Sequence, residues 1–85
     1  MVKDWETISF VIGSKYRQQV LEILNFPKTP TKIAKDLNIN KAHVSRSLAE
    51  MMKRRLVRRL TPESRKGKLF SRTSKGKIIL KDLPK

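Results

Sequence analysis

Residues 40–56 read NKAHVSRSLAEMMKRRL, and the first half of that stretch is rich in side chains that can read a hydrogen-bonding edge. Taking 100° per residue with Val44 at zero, Leu48 falls at about 40° and Met51 at about 340°, a narrow apolar stripe. Ala42, Arg46, Ala49 and Lys53 lie opposite, flanked by Lys41, His43 and Ser45. An arginine fork can donate two hydrogen bonds to guanine O6 and N7. Serine and histidine can bond base edges or phosphate, and alanine can touch a thymine methyl or let the backbone approach. Asn40 stands where it can cap this helix and lie at the same edge. The competing assignment for Arg46 is a surface ion pair with Glu50, one turn further on.

No comparable constellation suggests catalysis. His43 is the only histidine and there is no cysteine, so a transition-metal site lacks ligands and no thiolate nucleophile or disulfide exists. The acids Asp4, Glu6, Glu22, Asp36, Glu50, Glu63 and Asp82 are scattered, without a pairing for acid/base work. A phosphate-binding glycine motif is also missing. The expectation is a protein that is not an enzyme and carries no cofactor, with no small-molecule effector evident.

Charge points the same way. The 85 residues carry 21 Lys plus Arg against 7 Asp plus Glu, a net charge of +14. Residues 1–40 hold 6 basic and 4 acidic side chains, whereas residues 41–85 hold 15 and 3. A field so concentrated in one half repels itself unless a polyanion is near, which fits phosphates better than a merely solubilising surface. No segment pairs the charge with a broad aromatic face suited to a membrane surface, and no apolar run approaches the roughly 20 residues that span a bilayer. Without a recognisable signal peptide, the chain reads as cytoplasmic and nucleoid-associated.

The elements that must position the 40–56 segment are legible around it. Trp5, Ile8 and Ile12 form a stripe of a short first helix that Gly13 interrupts. Ser14 can cap a second helix carrying Tyr16, Val20, Ile23 and Leu24 on one stripe, which Pro27 brings to an end. Whether those two helices are continuous through Gly13 is left open by the sequence. Thr29 as N-cap and Pro30 at the first helical position announce a third helix, with Ile33, Ala34 and Leu37 inside. Thr31, on its first turn, is expected to join the wing residues in contacting DNA. Residues 38–40, NIN, then make a turn of about three residues, so that residues 29–54 compose a helix-turn-helix. Beyond it, LVRRL and LFSRT are strand-like runs enclosing TPESRKGK, a hairpin over about residues 57–73 with a basic tip. Arg65, Lys66 and Lys68 at the tip, with Arg72 on the returning strand, can reach phosphates or a minor groove. Thr73 can cap a last helix over about residues 74–82.

The run from TPTKIAKDL through VSRSL, LV, the basic hairpin and TSKGK resembles the winged-helix domain of prokaryotic transcriptional regulators of the MarR and ArsR types and their small archaeal relatives. With GSKYRQQVLEIL before it, the resemblance covers about residues 12–80. It implies an α+β, mostly α, single domain, a winged helix-turn-helix with a two-stranded β-hairpin wing. It further implies that Lys41 to Arg54 is the recognition helix, that residues 61–68 form the wing, and that Ser45 and Arg46 match positions that commonly meet DNA. This sequence departs from the pattern at Arg55, where the family usually has glycine. It also lacks the cysteine and histidine ligands of metal-sensing members and the long dimerising helices of many relatives.

The expected function is therefore sequence-specific binding of double-stranded DNA by a transcriptional regulator, a repressor acting by occlusion. A nucleoid protein that coats DNA without choosing sequence is the main alternative, and a module binding protein or RNA is a third. A homodimer is expected from the apolar residues at the two ends, Trp5, Ile8, Phe10, Ile79 and Leu83, which exceed what so small a domain easily hides.

Overall fold

The computed structural model describes residues 4–60 and 68–84. Along the chain these form α1 (Trp5–Ile12), α2 (Lys15–Ile23), α3 (Pro30–Leu37), α4 (Lys41–Lys53), β1 (Val57–Arg59), β2 (Phe70–Arg72) and α5 (Ser74–Asp82). Each helix starts at a side-chain oxygen that takes up an otherwise unpaired amide. Asp4, Ser14, Thr29, Asn40 and Thr73 accept from the backbone N–H of Thr7, Arg17, Lys32, Ala42 and Gly76, each cap contributing about 1 kcal/mol. The first two helices are separate: Gly13 is still helical, and the break comes at Ser14, which is extended at φ −139°.

The strands pair antiparallel, with Val57 opposite Arg72 and Arg59 opposite Phe70. Lys28, in the link between α2 and α3, exchanges both backbone hydrogen bonds with Phe70, at 2.9 and 3.0 Å. The base of the hairpin is thereby tied to the chain that enters the helix-turn-helix. The tip lies outside the described residues, Arg65 and Lys66 with it.

One core joins all the elements: Ile8 and Val11 from α1, Val20 and Leu21 from α2, Ile33 from α3, Val44, Leu48 and Met51 from α4, Val57 from β1, Phe70 from β2 and Ile79 from α5. The stripe read on α1 is rotated from expectation. Thr7, Ile8 and Val11 face inward, while Trp5 and Ile12 remain 59% and 45% exposed. Spacing alone admitted both faces of this short apolar helix, and packing against α2 and α5 selected the one with the more compact side chains. Ile8 and Ile79, expected at a dimer interface, are 1% and 2% exposed. They are used up inside the protomer, which corrects that assignment.

The exit from α4 explains how a non-glycine residue occupies the turn. Arg55 has φ 62°, left-handed backbone that costs a side-chain-bearing residue about 1–2 kcal/mol. Offsetting this, Arg55 and Leu56 donate their N–H groups to the carbonyls of Met52 and Met51 at 3.0 and 2.9 Å. This closes a Schellman-type end in which Met51 and Leu56 are both fully buried. The Thr73 hydroxyl donates to the Arg55 carbonyl at 2.6 Å, and the Thr73 N–H donates to Leu56 O at 3.0 Å. One threonine therefore caps α5 and clamps the turn. Gly76 lets α5 approach, because a Cβ there would collide with the Leu56 carbonyl oxygen. Asn38 ends α3 in the same left-handed way, at φ 55°, a conformation asparagine tolerates better than arginine.

Candidate nucleic-acid interface

The 13-residue helix α4 has two unlike faces. Val44, Leu48 and Met51 are buried, as their spacing predicts. Lys41, Ala42, Ser45, Arg46, Ala49 and Lys53 are exposed. Among the described residues the side chains of Lys41, Ser45 and Arg46 have no hydrogen-bond or ion-pair partner. Asn40 is exposed and its side-chain oxygen is already engaged, accepting from Ala42 N at 2.8 Å. What it offers outward is its amide NH₂.

The ion pair that competed for Arg46 is occupied from elsewhere. Glu50 receives Arg17 Nε at 3.2 Å and Nη2 at 3.3 Å, a bidentate contact from α2. Those hydrogen bonds, together with the guanidinium charge, hold the Glu50 carboxyl below its usual range against the opposing effect of burial, with lesser help from Arg46 and Lys53. Arg17 also donates to the Phe10 carbonyl at 2.7 Å and places its guanidinium 4.1 Å from the Phe10 ring centroid. The Arg54 guanidinium lies 4.3 Å from the same centroid and reaches Glu6 at 3.4 Å. Phe10, read from the sequence as a dimer contact, is thus half-buried and paired with two cations of its own chain, which join α1 to the far half of α4.

On its other flank α4 borders an open groove of about 700 Å³, with Thr31, Lys41, Ser45, Ala49, Met52 and Lys68 among its walls. The first turn of α3, the start of α4 and the base of the hairpin meet here, so Thr31 and Lys68 line one groove with Lys41 and Ser45. Met52, 39% exposed, was not foreseen. It sits only about 80° from Val44 on the helical wheel, where spacing assigns it to neither face.

Three expected site residues sit elsewhere or are engaged otherwise. Arg72 lines a separate hollow with Gln18, Glu22, Leu80 and Leu83, and its Nε is buried with no hydrogen-bond partner among the described residues. Arg72 shares the strand face of Phe70, but its side chain lies with residues of α2 and α5 and not with those of the groove. Lys53 stands at the far end of α4 in a polar hollow with Asp4, Glu6, Arg55 and Lys75. His43 is half-buried and stacked on Tyr16, with centroids 4.3 Å apart and an interplanar angle of 13°. Tyr16 was read as part of the core stripe of α2, and it lies at the edge of that stripe instead. Leu83, at the end of α5, is half-buried against the core, leaving Trp5 as the most exposed of the expected dimer residues.

Among the described residues no group of three or more His, Cys, Asp or Glu side chains could hold a metal ion, and no helix is long and apolar enough to cross a membrane.

Solved structures share this arrangement. The chain superimposes on the reduced form of the transcriptional regulator YodB from B. subtilis with a TM-score of 0.78 at 19% identity, over 96% of this chain and 83% of that one. A mutant of MarR from E. coli, complexed with operator DNA, matches with a TM-score of 0.74 at 24% identity, over 91% of this chain and 57% of that one. A mutant of ZitR from Lactococcus lactis matches with a TM-score of 0.72 at 24% identity, over 81% of this chain and 49% of that one. The chain spans about half the length of the ZitR structure, and at these identities the likeness is one of fold. No curated protein matches the sequence. A family model described as winged helix-turn-helix matches residues 15–85, and on that match the chain belongs to the winged helix-turn-helix family.

Proposed function

We propose that this protein binds double-stranded DNA in a sequence-dependent way, seating α4 in the major groove and laying Thr31, Lys68 and the basic wing along the phosphate backbone. One observation carries the reading. The exposed side chains Lys41, Ser45 and Arg46 make no hydrogen bond or ion pair among the described residues, on a helix whose other face is anchored in the core. A helix about 10–12 Å across fits a major groove about 12 Å wide. Unpartnered donors on such a helix meet acceptors there without first breaking an internal pair. Ala42 and Ala49 keep the approach close, and Arg46 has the fork that guanine accepts.

Regulation then follows by occlusion, as a repressor. The protein acts as a homodimer through the apolar side chains left uncovered at its two ends, Trp5 and Ile12 on α1 and Ile78 on α5, which is 58% exposed. Two recognition helices related by a two-fold axis would meet half-sites roughly 34–36 Å apart.

The charge of the C-terminal half favours one other reading, a protein that coats DNA irrespective of sequence. Selection of bound duplexes from a random pool separates the two. The proposal expects a consensus to emerge, on which Arg46→Ala costs about 1–3 kcal/mol and relaxes base preference, whereas Lys68→Ala weakens every duplex alike. Failure to enrich a consensus, with both variants losing equally on all duplexes, would leave the coating protein.

A further inference from the structure

A helix in the major groove has a phosphate wall on each side, and the contacts assigned above serve only one of them. Lys41 and Lys68 line the groove on the wing side of α4. The opposite flank belongs to α2, and its most conspicuous feature there is the Tyr16 and His43 stack. With Val44 at zero, Lys41 projects at about 60°, Ala42 at about 160° and His43 at about 260°. The first turn of α4 therefore sends one side chain to the wing, one outward and one to α2. His43 ends that arc, and Tyr16 continues it onto the next helix.

Tyr16 is half-buried, and its hydroxyl has no hydrogen-bond partner among the described residues. A phenol held rigidly by its ring face, with the O–H free, loses little side-chain entropy on meeting an acceptor. Lys15, on the same turn of α2, is exposed. The neighbouring acid on α4, Glu50, does not spoil the site for an anion, because Arg17 neutralises it through the bidentate contact.

Resting on the DNA-binding reading above, we propose that Tyr16 is a DNA-contacting residue: its hydroxyl donates to a backbone phosphate on the wall of the major groove away from the wing, and His43 holds its ring in position. The DNA grip is then two-sided, with α2 supplying the second side.

The test is a phosphate scan. Single phosphates of a bound duplex are replaced in turn by neutral methylphosphonate, and affinity is measured for the full chain and for Tyr16→Phe, which keeps the ring stack and removes the hydroxyl. The expected result is a loss of roughly three- to tenfold for Tyr16→Phe on the unmodified duplex, with an unchanged unfolding midpoint. One phosphate, on the strand not reached by the wing, should matter to the original protein and cease to matter to Tyr16→Phe. Equal affinities for the two proteins, or identical phosphate profiles, would overturn the proposal and leave the DNA reading intact. If the unaltered chain bound no duplex, both readings would fall together, and that outcome is seen before any variant is made.

Discussion

The two flanks of α4 spend their charges in opposite ways. Toward α1 and α2, Arg17 grips Glu50 with two hydrogen bonds and Phe10 with another, and Arg54 shares the same ring and reaches Glu6. Toward the wing, Lys41, Ser45 and Lys68 border an open groove and are engaged by no side chain among the described residues. The same residue types therefore do two jobs within one turn of each other. A basic residue on the closed flank fixes where the helix sits, and one on the open flank is available to whatever enters. Net charge describes neither job, because it counts Arg17 and Arg46 alike.

The comparison can be broken most forcefully where α5 closes over the end of α4. Gly76→Ala puts a methyl group into the Leu56 carbonyl, and such overpacking costs about 1–3 kcal/mol. Chemical denaturation should show this as a lowered midpoint with little change in slope. An unchanged midpoint would mean that the turn around Arg55 is looser than the Thr73 clamp implies.

Next in size is a pair of variants that sharpens the contrast itself. Arg17→Ala should cost about 1–2 kcal/mol of stability, since it removes a charge-assisted bidentate contact and a backbone hydrogen bond. Arg46→Ala should leave stability within about 0.5 kcal/mol. The Arg17 effect also has a pH signature. Glu50 titrates below its ordinary value of 4.5 when folded, so its contribution is fully present above that value and is lost as pH falls through the lower folded one. The difference between the original protein and Arg17→Ala, measured by thermal unfolding, should therefore shrink in acid and be constant near neutrality. A gap that widened on acidification would contradict the assignment.

The smallest effect has the opposite sign. Arg55→Gly relieves the left-handed backbone and should stabilise the fold by about 1 kcal/mol or less once the greater freedom of unfolded glycine is counted. A loss of stability would show that the Arg55 side chain contributes more than its backbone strain costs.

How much of this could be read beforehand follows from the range of the interactions. Thr29, Pro30 and Asn40 bracket α3 and α4 with local capping chemistry, and Val44, Leu48 and Met51 mark the inner face by spacing, so the helix-turn-helix was legible. The strands over 57–59 and 70–72 likewise announced themselves by a change of period. The closed flank was not legible, because Arg17 and Glu50 are 33 residues apart and nothing in either neighbourhood names the other. Glu50 had instead been weighed as a partner for Arg46, the local choice. Phe10 and Ile79 looked like surplus apolar surface for the same reason: the cations that meet one and the helices that cover the other come from distant sequence. Arg72 was misplaced because its charge suggested a phosphate contact, whereas two-residue alternation puts it on the same strand face as the buried Phe70. Tyr16 lay within one side chain of the core stripe, and only the position of His43 decides to which surface it belongs.

The open face of α4 is the surface proposed to meet DNA. Nitrogen-15 NMR, with backbone amides and the arginine side-chain Nε–H groups followed as a bound duplex is titrated in, tests it most directly. The largest shifts are expected at Lys41, Ala42, Ser45 and Arg46, including the Arg46 guanidinium, while Arg17 stays close to its starting position. Shifts confined to the hollow around Gln18, Glu22 and Leu83, with α4 undisturbed, would contradict it.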